Sequence, residues 1–89
     1  MLFQLGQIVA TPNALRALDE VGDDPSTYIF RHASGDWGAL DEHDRAVNDR
    51  AIQQGQRLLS AYDLSDGTRI WIITEAGRHV TTILLPSDY

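Results

Sequence analysis

The chain has 89 residues, thirteen acidic and seven basic, for a formal charge of −6, and it contains no cysteine. That length fits one hydrophobic core and therefore one domain, residues 1–89. Without cysteine there is neither a disulfide framework nor a thiolate metal site, and the acidic balance disfavours direct binding to nucleic acid while favouring a cationic partner.

The first residues, MLFQLGQIVATPN, have no basic leader and meet a polar side chain within four positions. This argues against a signal peptide or a membrane span, and the lack of cysteine suits a reducing cytoplasm. Residues 2–9 mix apolar and polar positions as a short strand does, with Gly6 a candidate bulge or point of close approach. Thr11 and Pro12 then start a helix, because threonine caps free backbone N–H groups and proline at the first position loses no bond. Its apolar stripe is Ala14, Leu15, Ala17, Leu18 and Val21, and Gly22 stops it.

Asp24-Pro25-Ser26 repeats the start signal, and Tyr28, Ile29 and Phe30 predict one or two buried turns ending near His32. Asp41 caps a third helix that runs to about Gln54, with Leu40, Val47, Ala51 and Ile52 on its inner face and Gly55 after it. Residues 57–64 and 68–75 then alternate and are rich in β-branched and aromatic side chains. Ser65-Asp66-Gly67 between them is a hairpin signal, and a turn at Ala76-Gly77-Arg78 leads to a last strand over 80–85. This order predicts an α+β domain: an N-terminal strand, two to three helices, then a three-stranded antiparallel sheet with the helices on one face.

Three groups of residues carry chemistry. RHASGDWG, residues 31–38, offers His32 as a general acid or base, since histidine titrates near neutral pH. The structural reading is preferred: Asp36 ties a turn and Trp37 closes the corner between the second and third helices. Asp19, Glu20, Asp23 and Asp24 gather at the end of the first helix, where negative charge opposes the helix dipole, so the patch suits a basic partner. In TEAGRHVTT, residues 74–82, strand alternation sends Thr81 and Thr82 to opposite faces, so one hydroxyl lies under cover and needs a partner. The three histidines have no metal-ligand spacing, so no metal or other cofactor is expected. Nor is there a nucleophile elbow or a phosphate-binding glycine loop.

The blocks RHASGDWGALDEHDRAVNDRA, GQRLLSAY, WIITEAGR and TTILLPSDY together span much of the chain. In combination they resemble a family of small proteins from bacterial mobile elements, labelled plasmid-related or hypothetical and in some cases restriction-methylation subunits. The family pattern carries an acid and a hydroxyl residue where this chain has Gly77 and His79. The resemblance implies a mobile-element accessory protein of the anti-CRISPR or anti-restriction type, acting by binding a partner rather than by catalysis. The partner expected is a basic or nucleic-acid-handling protein, met through Asp19, Glu20, Asp23, Asp24, His32 and Arg78. The rival reading is a metal-independent ribonuclease with His32 as base, Arg78 as phosphate anchor and Thr81 or Thr82 positioning the phosphate.

Overall fold

Three capped helices and four strands account for most of the chain in the computed structural model, which describes residues 1–89. Helix α1 (Pro12–Val21) is capped by the Thr11 hydroxyl, which accepts from the Ala14 N–H at 3.1 Å. Asp24 caps α2 (Pro25–Ala33) through the Ser26 N–H at 2.9 Å, and Asp41 caps α3 (Glu42–Gln54) through the Asp44 N–H at 2.8 Å. Each cap satisfies one of the donors that a helix start leaves unpaired.

Strands β1 (Gln7–Ala10), β2 (Leu58–Asp63), β3 (Arg69–Thr74) and β4 (Val80–Leu84) form one sheet in the order β1-β4-β3-β2. The α+β class is as expected, but the sheet has four strands and is mixed. β1 joins at the far edge, parallel to β4, with Ile8 opposite Thr81 and Ala10 opposite Ile83. Parallel partners need a long crossover, and the whole segment from α1 to β3 provides one.

Alternation gives the sheet two unlike faces. Tyr62, Ile70, Ile72 and Ile83 point to the side covered by α1 and α2, where they meet Ala14, Leu18 and Tyr28 in the main core. The α1 stripe is narrower than expected, since Leu15 is exposed, and in α2 Phe30 faces solvent. Helix α3 corrects the expectation that all helices share one face. It lies along the outer edge of β2, where Asn48 rather than Val47 is the buried residue. The Asn48 side chain donates to the Leu59 carbonyl at 2.6 Å and accepts the Leu59 N–H at 3.2 Å, as a neighbouring strand would. The same edge takes up residues 37–39, through Ala61 N–H to the Trp37 carbonyl and Ala39 N–H to the Ala61 carbonyl. Gly38, at φ +74°, permits that approach, since a Cβ there would strike the Ala61 carbonyl and the Tyr62 ring. No helix is long and apolar enough to cross a membrane.

Candidate functional site

His32 is fully buried, and both its ring nitrogens are engaged. Nδ1 lies 2.5 Å from the Ser60 hydroxyl and Nε2 lies 2.9 Å from that of Thr74. Thr74 is 2.7 Å from Thr81, whose hydroxyl donates to the Leu5 carbonyl at 2.7 Å. That last bond fixes the protons from Thr81 back to Nε2 of His32, because each hydroxyl has one hydrogen to give. Thr81 gives its hydrogen to Leu5, so it accepts from Thr74. Thr74 therefore accepts from His32, which must carry a proton on Nε2, and in a ring kept neutral by burial Nδ1 accepts from Ser60. The result is a neutral imidazole in one tautomer, with no buried side-chain donor or acceptor left unpaired.

Its surroundings enforce the neutral state. Burial, and after it the charge of Arg78, push the His32 pKa down to about 4. Phe3 and Trp37 pack edge-on against the ring, with centroids 5.2 and 5.7 Å away. The expectation of His32 at a partner or substrate surface is therefore corrected. A general base must reach its substrate, and this imidazole has neither an exposed atom nor an unoccupied nitrogen.

Arg78 does not serve as an open anion anchor either. Its guanidinium donates to the carbonyls of Gln56 at 2.6 Å and Ala51 at 3.0 Å, so it ties the carboxyl end of α3, the negative end of the helix dipole, to the β3–β4 turn. Its backbone stands at φ +62°, a left-handed conformation that only glycine adopts without cost. Thr81 belongs to the buried chain, whereas Thr82 lies on the opposite face, so these two do not converge on one site.

The acidic patch divides. Asp23 accepts from the hydroxyls of Ser65 and Tyr28, bonds that hold its carboxyl below the usual range and fasten the α1–α2 connection to the β2–β3 turn. Asp24 is the α2 cap, while Asp19 and Glu20 remain exposed on α1. Within RHASGDWG, Asp36 pairs with Arg31 at 2.7 Å and accepts from the Gly38 N–H at 3.1 Å, and the Arg31 bond lowers its pKa. Trp37 is 3% exposed, donates to Asp49 at 3.0 Å and packs against Ala51 and Leu58. Burial of such an indole contributes roughly 2–3 kcal/mol.

The other face of the sheet is only partly covered: Ala61, Ile73 and Leu84 are buried there, while Leu59, Trp71 and Thr82 are half-buried. Because α3 is displaced to the β2 edge, it leaves a groove of about 340 Å³ between itself and the strands. Leu40, just before α3, and Val47 on it form one wall, Leu59, Trp71 and Ile73 the floor, and Tyr89 the far side. Tyr89 meets Trp71 edge-on at 5.9 Å and is held by Arg57, which donates to its hydroxyl at 2.8 Å. Asp44 lines the same groove, one turn from the exposed Asp41 and Glu42. Sequence reasoning assigned Trp71 to the core and Val47 to the inner helix face, and so missed this site. The one available signal was Asn48, a polar residue at a core-facing helical position. No group of three or more histidine, cysteine or acidic side chains is arranged to hold a metal ion. Set against known proteins, the chain matches no family model, no curated protein and no solved structure.

Proposed function

We propose that this chain is a binding protein which seats an apolar segment of a partner, flanked by arginine or lysine, in the groove between α3 and the partly covered sheet face. The observation that carries the reading is the groove itself: six apolar or aromatic side chains around about 340 Å³, completed by Asp44, Asn48 and Arg57, the last paired with Glu75. Large aromatic side chains in a concave, partly desolvated setting are what binding hot spots are made of. Asp44, Asp41 and Glu42, with the net charge of −6, favour a cationic neighbour and speed its approach. The mobile-element resemblance makes nucleic-acid-handling complexes of host defence, CRISPR or restriction effectors, the first partners to try.

The test is co-elution of the purified protein with such complexes, with their nucleic-acid binding measured alongside. Val47→Glu is the matched variant, because Val47 lines the groove yet is 40% exposed, so the fold tolerates the change. Association should weaken by about tenfold or more in that variant, worth about 1.4 kcal/mol, with its unfolding midpoint unchanged. If no complex co-elutes or changes its nucleic-acid binding, or if Val47→Glu binds as its parent does, the proposal fails.

A further inference from the structure

The two edges of the sheet are treated differently. Along β2, Asn48 and residues 37–39 occupy the outward backbone groups of Leu59 and Ala61. Along β1 no such cover exists. The Gln7 N–H donates to His79 and the Thr11 N–H to Ile83, which fixes the alternation of the parallel ladder. Odd-numbered residues face β4, and the N–H and C=O of Ile8 and Ala10 face outward. Ile8 is 49% exposed and Val9 38%. Natural edges are usually guarded by charge, proline or a bulge; within β1 there is none of these.

Charge is distributed to match. No ionisable side chain precedes Arg16, although 20 of the 89 residues are charged. Five of the eight exposed large hydrophobic residues, Met1, Leu2, Ile8, Val9 and Leu15, fall within those first fifteen positions. Two copies of a −6 chain repel each other over most of their surface, and the uncharged β1 edge is where that repulsion is least.

We infer that β1 is a self-association edge, on which a second copy of this chain pairs antiparallel through its own β1. The outward groups are self-complementary about a two-fold axis at Val9. Ile8 of one copy exchanges both backbone bonds with Ala10 of the other, and the reverse pair does the same, giving four hydrogen bonds. Val9 then stands opposite its own copy, in the pair without hydrogen bonds, where side chains are closest. The contact is isologous, so it closes at two subunits, and it joins the two sheets into one of eight strands. Since the β1 edge is separate from the α3 groove, dimerisation and partner binding can fail independently.

Sedimentation equilibrium of the full chain, up to about 1 mM, tests this, with two variants. Ile8→Pro removes one outward donor but no bond to β4, since the Ile8 N–H points away from β4. Ile8→Lys leaves the backbone intact and adds a charge one residue from the axis in each copy. The parent should show a concentration-dependent dimer, and each variant, with its circular dichroism unchanged, should weaken it about tenfold or more. Hydrogen exchange should find the Ile8 and Ala10 amides protected in the parent and unprotected in Ile8→Lys. Should Ile8→Pro fail to fold, Ile8→Lys carries the test alone. A parent that stays monomeric throughout, or a dimer that survives Ile8→Lys with the amide of position 8 still protected, overturns the inference.

Discussion

With His32 held neutral in the folded chain and able to take a proton in the unfolded one, acid should weaken this protein well before its carboxylates titrate. The folded pKa is about 4, against an ordinary value of 6.5. Between those values the unfolded chain binds the extra proton, so stability rises with pH and is complete above about 6.5. Going from pH 7 to pH 5 should therefore cost about 2 kcal/mol, read as a fall in the urea midpoint. Below that window the second loss begins, as Asp23, Asp36, Asp63 and Asp88, all held low by hydrogen bonds or arginine, are protonated. His32→Gln should flatten the slope between pH 7 and 5 whatever it does to absolute stability. A parent whose midpoint is level over that range would mean that His32 is not neutralised by its surroundings. The sequence placed this histidine correctly at the end of α2, but not its burial. Its partners Ser60, Thr74 and Thr81 come from three separate strands, and only the register of the sheet brings them together.

At the scale of elements, the Leu59 half of the closed β2 edge rests on one amide, as residues 37–39 cover Ala61. Asn48→Asp would put a carboxylate oxygen where the side-chain nitrogen now donates to the Leu59 carbonyl. Two acceptors then face each other in a buried place, at a cost of about 3 kcal/mol or more. Asn48→Ala leaves the same groups unpaired without the repulsion and should cost about 1–3 kcal/mol. Urea unfolding of both variants checks the order, and an Asn48→Asp protein as stable as Asn48→Ala would show that the amide does not act as a substitute strand. The helices themselves were legible because Thr11, Asp24 and Asp41 are local signals, and the β2–β3 hairpin because Asp66-Gly67 is one. The pairing of β1 was not, since a four-residue strand carries no mark of which edge it joins. The groove was hidden for a related reason. It exists because Asn48 seats α3 beside the sheet rather than on it, and an asparagine within a helix otherwise reads as a solvated residue.

Across the whole molecule, the longest-range pairing is also the last that chain entropy allows. Strands β2 and β3 are joined by a short turn at Ser65–Thr68, whereas β1 meets β4 only after some seventy intervening residues, Thr11–His79, have been placed. Loop closure must be met before such contacts return any stabilisation. The folding transition state should therefore contain the β2–β3 hairpin with its covering helices, and lack β1. Two conservative substitutions separate these stages. Ile70→Val trims the core at a fully buried hairpin position, for about 0.5–1.5 kcal/mol. Ala10→Gly loosens β1 by about 0.5–1 kcal/mol, enough for a readable ratio at the upper end of that range. In stopped-flow refolding and unfolding at low protein concentration, Ile70→Val should slow folding about threefold, and Ala10→Gly should hasten unfolding by a similar factor while folding stays as in the parent. An Ala10→Gly protein that folds as slowly as Ile70→Val would place β1 in the nucleus. The N-terminal segment, whose Leu5 carbonyl closes the His32 hydrogen-bond chain, would then be an organiser of the fold rather than its last piece.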